Sequence, residues 1–484
     1  MKRFLLLVLS LAITVFGMAL VGCQPSTPPH EHVWETTYSS DNFSHWIKCE
    51  GCDEVKDTAD HNLQNSDTCS VCGTTTVPTE GVTYKIVEQE NVAQVTGYTG
   101  DSDKVRIAAT YQGKPVTAIN SSAFQEFFDK KITAVYIPNS VTTIGGGAFS
   151  GCAKLEKVSL GSSITSIGAN AFADCSELTD IVLPSTVTSI GSGAFANCSN
   201  LTSVSIPDSV TSFGYGVFRN CEKFQFNVYE GLDYVGNSNN PYLVLTDIPS
   251  AIQFNSSFNL HNDTKVFAAQ LFSGCGEITT LDLPDSLIAI PDCTFMQCQE
   301  LKTITIPSSV KSVGTCAFSQ CLALESIYIP DSVTSVGAQV FEYCENLKTV
   351  TLPANATYVG DVFNSCRNIV NLTAPFEVFD SLLSFHKEKM ESVTFNSGDT
   401  ISAYSFNGCD ALTSVIIPSS VTTIESYAFD GCNNAKIYCE VASKPDGWKN
   451  KWNKDCPVYY YSENEPTTEG NYWHYVNGEV VIWE

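Results

Sequence analysis

Residues 186–208 read TVTSIGSGAFANCSNLTSVSIPD, and the same pattern recurs along much of the chain. Within two runs a Phe recurs every 23 residues, and a Cys follows each Phe by three positions. These residues are Phe149, Phe172, Phe195 and Phe218 in the first run, and Phe272, Phe295, Phe318 and Phe341 in the second. A period of about 20 to 30 residues with aliphatic residues at fixed offsets is typical of a stacked solenoid, because one repeat cannot bury its apolar face alone.

Each repeat contains two short extended stretches. In residues 201–207, Val204 and Ile206 alternate with serines, so one face of a short strand points inward. Pro207 lacks the amide N–H that a longer strand needs, and it therefore ends this stretch. Residues 209–214 form the second stretch, and the Ala-Phe-x-x-Cys segment that follows has helical spacing. The sequence therefore predicts an α/β repeat solenoid with short parallel strands.

The repeats occupy residues 120–434. Residues 81–119 alternate Val, Ile and Tyr between Gly-containing turns, which predicts an N-terminal cap of strands over the first repeat. An insert near residues 227–263 breaks the period, since Cys221 and Cys275 lie 54 positions apart.

Residues 435–484 contain four of the six tryptophans. A solenoid exposes an apolar layer at its end, and aromatic side chains bury much area per residue, so this segment is interpreted as a C-terminal cap. An aromatic platform for glycans or partner proteins is the alternative. Cys439 and Cys456 in this segment are a candidate disulfide pair.

The pattern Ala-Phe-x-x-Cys-x-x-Leu-x-x-Val-x-Ile-Pro-x-Ser-Val-Thr-x-Ile-Gly resembles the BspA-type leucine-rich repeat family of bacterial surface proteins. The resemblance covers about two thirds of the chain, residues 120–434. It implies an extracellular solenoid associated with adhesion, and it implies no catalytic residues. The repeated Cys residues fit small buried side chains better than nucleophiles, because a catalytic Cys is singular and paired with a base.

The chain is acidic, with a net charge of −26. Nucleic acid requires a surface rich in Lys and Arg, and anionic lipid headgroups attract basic segments. The charge therefore disfavours nucleic acid and direct headgroup binding.

Residues 1–22 combine two basic residues with a long apolar run, which predicts a secretory signal. The run ends in Leu-Val-Gly-Cys, which resembles a bacterial lipobox, so Cys23 is the predicted lipidation site. Residues 23–29 are polar and Pro-rich and are interpreted as a tether. A plain signal peptide with a chance Cys is the alternative.

Residues 30–76 are rich in Cys and His and are interpreted as a small zinc-ribbon-like module. Two Cys-x-x-Cys pairs separated by 16 residues match the ligand spacing of a structural zinc site. A pair of disulfides is the alternative, because the predicted compartment is extracellular. The predicted zinc ligands are Cys49, Cys52, Cys69 and Cys72, with His32, His45 and His61 as alternates.

Cys293 and Cys316 lie one repeat apart, each two positions before its Phe, where other repeats have Gly or polar residues. That register predicts exposure. Equivalent positions in adjacent parallel layers lie about 5 Å apart, within the Cα separation that a disulfide tolerates. A Cys293–Cys316 disulfide is therefore predicted.

These features predict a lipid-anchored cell-surface protein that binds an extracellular protein or glycan, with the membrane engaged through the anchor. A cell-envelope spacer without a specific ligand is the alternative, and an enzyme with its site in the insert is a weaker one. The outward strand positions predicted to form the binding face are Ser159, Val182, Ser205, Asp282, Thr305, Tyr328, Thr351 and Ile416.

Overall fold

A computed structural model describes residues 77–125, 132–249, 259–382 and 388–483, together with the backbone of three earlier strands. The chain divides into two compact units, Met1–Val77 and Pro78–Glu484. In the first unit, strands Ser39–Ser40, Ser44–Lys48 and Val55–Asp60 form an antiparallel sheet in chain order.

The second unit is a solenoid whose repeats contribute short strands to two columns. The first strand column comes from the Val-Thr-Ser-Ile stretch and contains Lys114–Ile119, Thr143–Ile144, Ser166–Ile167, Ser189–Ile190, Ser212–Phe213, Val266–Phe267, Ala289–Ile290, Ser312–Val313, Ser335–Val336, Thr357–Tyr358, Thr400–Ile401 and Thr423–Ile424. The second strand column comes from the stretch before the Pro and contains Lys104–Arg106, Ala134–Tyr136, Lys157–Ser159, Thr280–Asp282, Thr303–Thr305, Ser326–Tyr328, Thr349–Thr351, Asn371–Pro375, Ser392–Ser397 and Ser414–Ile417.

Equivalent residues of successive repeats pair in parallel. In the first column Thr143 pairs with Ser166, which pairs in turn with Ser189. In the second column Tyr328 pairs with Thr351. The predicted solenoid of short parallel strands is therefore confirmed.

Antiparallel strands and a tail flank the parallel repeats. Strands Val82–Val87 and Val92–Tyr98 form a hairpin that joins the first column beside Lys114–Ile119, which also pairs with Thr110–Tyr111. The last four strands continue the second column: Lys436–Cys439, Val458–Tyr461, Tyr472–Val476 and Glu479–Ile482.

The helix expected at Ala-Phe-x-x-Cys is wrong, because this segment is a run of turns. Asn170 and Asp174, on either side of Phe172, have φ of 54° and 63°. Residues in the left-handed region interrupt a right-handed helix. The Phe172 amide donates to the Ala194 carbonyl of the next repeat at 2.8 Å instead of to its own segment. Among the described residues the one α-helix is Phe376–Leu382, so the unit is a β-solenoid.

The interior is a column of stacked Phe rings. The centroids of Phe149 and Phe172 are 5.2 Å apart with planes 7° apart, and those of Phe172 and Phe195 are 5.5 Å apart. All three side chains are fully buried. Stacked rings at this separation add to the free energy of area burial, so the column stabilises each repeat on its neighbour.

The insert interrupts this column with its own antiparallel strands, Asn227–Tyr229, Leu232–Val235 and Val244–Asp247. The last of these pairs in parallel with Val266–Phe267, where the repeats resume. Successive side chains of this small sheet belong alternately to two hydrophobic cores, as expected when a strand is buried on both faces. The insert therefore forms a wall between the core of the earlier repeats and that of the later ones.

Candidate binding face

The second strand column holds aliphatic residues inward and leaves the residues on either side of them outward. Leu281 is 4% exposed, whereas Thr280 and Asp282 beside it are exposed. The same alternation holds in Thr303–Thr305 and Ser326–Tyr328. Because the inward side chains fix the register, the outward side chains are presented in rows along the stack.

We call the row formed by the residue that follows the first buried aliphatic residue of each strand the outward row. Strand register places Asp282 opposite Thr305, and Tyr328 opposite Thr351. The row continues from Thr351 through two further threonines to Ile416. Its members in these later repeats are Asp282, Thr305, Tyr328, Thr351, Thr373, Thr394 and Ile416.

The predicted face residues of the earlier repeats occupy the same register. Ser159 pairs with Tyr136, and Val182 and Ser205 follow in the next two repeats. Val182 is 78% exposed and Tyr328 is 59% exposed, which makes them the two most exposed large side chains of the predicted face. The insert separates this earlier group from the later group in sequence.

Thr373 and Thr394 were not among the predicted face residues. The spacing between members of the row falls from 23 residues to 22 and 21 in this region, so the repeats are irregular there. The usable signal was the apolar residue before each Thr, Leu372 and Val393, both of which are buried.

The tail places its aromatic residues mainly inside. Trp448, Trp452 and Trp473 are buried, and the Trp448 Nε1–H donates to the Val421 carbonyl at 3.1 Å. The Trp473 Nε1–H donates to the Cys439 carbonyl at 3.0 Å. These rings therefore pack on the last repeats rather than forming an open aromatic platform.

The repeated thiols form a ladder inside the solenoid. Most of their Sγ–H groups donate to the carbonyl of a Phe in the preceding repeat, for example Cys198 to Phe172 at 3.2 Å and Cys321 to Phe295 at 3.1 Å. Burial raises the pKa of the Cys198 thiol to about 12. A nucleophilic Cys requires a lowered pKa, so the environment of these thiols suits a structural role and not a nucleophilic one.

Cys293 and Cys316 differ from the ladder thiols. Both are half-buried, whereas the other described cysteines are buried. Both have φ of 54°, in the column of left-handed residues that includes Asn170 and Gly193. The Gly and polar residues at this register are thus explained by backbone conformation, because Gly and Asn adopt positive φ most readily.

The predicted Cys439–Cys456 pair lies at the end of the ladder. Both thiols are free and buried. The Cys456 Sγ–H donates to the Cys432 carbonyl at 3.1 Å, which continues the ladder geometry. Burial raises the pKa of both thiols.

A cavity of about 340 Å³ opens beside the insert. Its wall includes Phe218, Arg219, Phe226 and the carboxylates of Asp233 and Asp247. Burial raises the pKa of both carboxyls, and the charge of Asp247 raises that of Asp233 further.

The predicted lipidation and zinc residues lie mostly outside the described residues. His45 belongs to strand Ser44–Lys48, whose backbone alone is described. In the described part of the chain there is no cluster of three or more metal-ligating side chains. None of the helices there is both long and apolar enough to cross a bilayer. The predicted residues that fall outside are Cys23, His32, Cys49, Cys52, His61, Cys69 and Cys72.

Residues 114–239, 265–382 and 382–444 match the BspA type Leucine rich repeat region in six copies. The chain therefore belongs to the BspA-type leucine-rich repeat family. The expectation drawn from the repeat pattern is confirmed at this level.

Several solved structures of leucine-rich repeat proteins are similar to this chain. One from Bacteroides ovatus ATCC 8483 is 26% identical, with 79% of this chain and 99% of that chain covered and a TM-score of 0.33. A leucine rich cell surface protein from Faecalibacterium prausnitzii A2-165 is 24% identical, with 78% and 97% covered and a TM-score of 0.32. The pneumococcal vaccine antigen PcpA is 19% identical, with 79% and 97% covered and a TM-score of 0.27. No curated protein matches the chain.

Proposed function

We propose that this chain is a lipid-anchored cell-surface protein that binds an extracellular protein or glycan along the outward row. The supporting observation is that each strand of the second strand column combines buried residues, which fix its register, with outward residues that are exposed. Val350 and its equivalents are buried and hold the register, while Thr305 and Tyr328 remain exposed. These exposed side chains take no part in packing the core, and they repeat at regular strand spacing. Such a row is suited to recognising an extended ligand.

The chemistry of the row favours neutral polar ligands over charged ones. Four of its seven later members are threonines, each with a hydroxyl donor and acceptor, and Tyr328 adds an exposed aromatic ring. Glycan hydroxyl groups and extended peptide backbones both match a repeated pattern of donors and acceptors. The protein's net charge of −26 separately opposes polyanionic ligands.

Binding of the mature chain to immobilised matrix proteins and glycans tests the proposal. The variant Thr305→Lys with Tyr328→Lys places two charges in the row and is expected to weaken binding about tenfold or more. The matched control, Gln299→Lys with Ser308→Lys, adds the same two charges at two exposed positions off the row. Equal affinity of the two variants contradicts the proposed face. Absence of saturable binding by the parent protein supports the spacer function instead.

The anchor is proposed from the Leu-Val-Gly-Cys sequence that ends at Cys23. Cys23→Ala is expected to move the protein from the detergent phase to the aqueous phase in a detergent partition experiment. Unchanged partitioning of the variant contradicts lipidation at this residue.

A structural zinc in residues 30–76 is part of the same proposal. Strands Ser44–Lys48 and Val55–Asp60 pair with Lys48 opposite Val55, and Cys49 and Cys52 fall between them in the sequence. Two Cys-x-x-Cys pairs in one short segment fit the ligand set of a structural zinc site. About one zinc per chain is expected in the mature protein, and Cys49→Ser with Cys52→Ser is expected to remove it. Two disulfides in metal-free protein contradict the zinc site.

The terminal segments are proposed to cap the solenoid. Trp473 is fully buried and donates to the Cys439 carbonyl, and the last strand pair is antiparallel, so the parallel pairing ends there. A cap that ends parallel pairing limits end-to-end association of sheets. Deletion of residues 435–484 is expected to cause self-association, measured by light scattering.

A further inference from the structure

Adjacent repeats contain two thiols that share one surface register. Cys293 and Cys316 occupy the same position two residues before Phe295 and Phe318, whose rings stack at 5.2 Å. The Cys293 amide donates to the Thr315 carbonyl at 2.9 Å, so the two segments are hydrogen-bonded neighbours. The two backbones have the same φ of 54° and therefore direct their side chains alike.

Side chains at this left-handed position, two residues before each Phe, point toward the next repeat. A Cβ placed on Gly193 lies 3.4 Å from Cγ of Asn170, the equivalent residue one repeat earlier. A Cβ on Gly147 lies 3.6 Å from Oγ of Ser122 in the same way. Within a disulfide, the distance from one sulfur to the partner's Cβ is about 3 Å. The orientation of these side chains therefore brings a γ atom close to the position that it has in a disulfide with the next repeat.

The two thiols follow the same orientation. The Cys293 and Cys316 thiols lie close enough for each to affect the pKa of the other, and the Cys316 Sγ–H donates to Gln339 Oε1, 3.8 Å away in the following repeat. Both are half-buried, so a small reagent in solvent reaches them. The ladder thiols such as Cys298 and Cys321 are fully buried and donate to Phe carbonyls.

We propose that Cys293 and Cys316 form a reversible disulfide that staples two repeats after the insert when the protein meets an external disulfide oxidant. One thiolate attacks a sulfur of the oxidant, forming a mixed disulfide and releasing one reduced thiol. The second thiolate then attacks the protein sulfur of that mixed disulfide, and the Cys293–Cys316 bond forms as the second reduced thiol leaves. Two protein thiols are oxidised and one oxidant disulfide is reduced.

The proposed disulfide rests on the proposed function only in requiring an extracellular location, because extracellular disulfides persist where cytosolic ones are reduced. Burial raises the pKa of both thiols, followed by the charges of Asp292 and Glu342 nearby. The thiolate is the attacking species, so oxidation is best measured at mildly alkaline pH.

The test is mass mapping of the full mature protein treated with oxidised glutathione, quenched in acid, denatured and alkylated without reduction. The expected result is one cross-linked peptide pair containing Cys293 and Cys316, with the loss of two hydrogen masses and two fewer alkyl groups per chain. Dithiothreitol is expected to restore both alkyl groups. Alkylation of both residues after oxidation, or stable glutathione adducts on both, overturns the proposal.

A matched variant comes from the chain itself. Cys293→Asn with Cys316→Gly reproduces Asn170 and Gly193, which hold the same φ in earlier neighbouring repeats. This variant is expected to fold, to show no cross-link and to show no difference in thermal midpoint between oxidised and reduced samples. The parent protein is expected to have the higher midpoint when oxidised. Equal oxidised and reduced midpoints for the parent contradict a staple, and because neither readout uses a ligand, loss of ligand binding does not affect them.

Discussion

The regular repeats and the insert solve the same problem of burying backbone and apolar surface in different ways. Among the repeats, the Phe195 amide donates to the Val217 carbonyl of the next repeat at 3.0 Å, and their interior rings stack in parallel. In the insert, strands pair antiparallel within the segment itself. Just before it, Phe218 stacks both on Phe195 of the preceding repeat, at 5.7 Å, and on Phe224 of its own repeat, at 4.1 Å.

This difference indicates that stability is shared among the regular repeats, each of which depends on its neighbours, and is more local in the insert. A regular repeat has no fold of its own and depends on equal neighbours on both sides. The insert sheet pairs its three strands with one another, joins the repeats through Val244–Asp247, and faces a hydrophobic core on each side. Substitutions inside the repeats should therefore cost more than comparable substitutions at the border of the insert.

The largest effect is expected from the interior rings. Phe318 is fully buried between Phe295 at 5.2 Å and Phe341 at 5.8 Å. Phe318→Ala is expected to lower the free energy of unfolding by about 3 to 5 kcal/mol, because it leaves a cavity in a stacked column. The measurement is urea unfolding followed by circular dichroism.

The matched change at the border of the insert is Phe226→Ala. Phe226 is only half-buried and its ring is tilted against Phe224. Its loss is expected to cost about 1 to 2 kcal/mol. Equal costs for Phe226 and Phe318 contradict the distinction between shared and local stability.

A smaller effect is expected from the thiol ladder, which the insert interrupts. Cys321→Ala removes a buried sulfur and its hydrogen bond to the Phe295 carbonyl, and is expected to cost about 2 kcal/mol. Cys316→Ala, at a half-buried position, serves as the control and is expected to change stability by less than about 0.5 kcal/mol. Thermal unfolding under reducing conditions distinguishes the two. Identical unfolding midpoints of the two variants contradict a contribution of the thiol ladder to stability.

Two glycines in the first repeat after the insert isolate the effect of backbone conformation. A Cβ on Gly274 or on Gly276 meets no atom within 4 Å, but only Gly274 has a positive φ, 78°. Gly274→Ala is expected to cost about 1 kcal/mol through backbone strain, whereas Gly276→Ala is expected to be neutral or mildly stabilising. Parallel urea titrations of both variants check this. A stabilising Gly274→Ala contradicts the strain argument.

The smallest effect is expected from the paired carboxylates of the insert. The pKa of Asp233 and of Asp247 is raised above the ordinary value of 3.8 in the folded protein. The folded state therefore holds these protons more tightly than the unfolded chain does. The stability that comes from protonation is fully present below pH 3.8 and is lost as the pH rises through the folded pKa.

Asp233→Asn removes this titration and is expected to stabilise the protein at neutral pH by less than about 1 kcal/mol, because both carboxyls remain partly in water. The advantage of the variant should shrink as the pH falls toward 3.8. Unfolding midpoints across this pH range provide the measurement, with the exposed Asp282→Asn as control. An advantage that grows on acidification contradicts the sign of the shift.

The structure agrees with the sequence pattern where the period is kept and differs from it where the backbone conformation depends on neighbouring repeats. The spacing of Phe and Cys predicted the interior, and strand alternation predicted outward residues such as Asp282 and Tyr328. The helical spacing of Ala-Phe-x-x-Cys predicted a helix that is absent, because residues such as Asn170 and Asp174 are left-handed and the amides bond to the next repeat.

The sequence by itself determined the repeat, its period and which side chains face inward, because these depend on the alternation of apolar residues within one repeat. Only the tertiary structure decided what the turns look like and how the insert divides the interior. The Leu232–Val235 strand contributes to two cores, because residues distant in sequence are aligned by hydrogen bonds between layers. That alignment is a property of the stack, and no single repeat contains it.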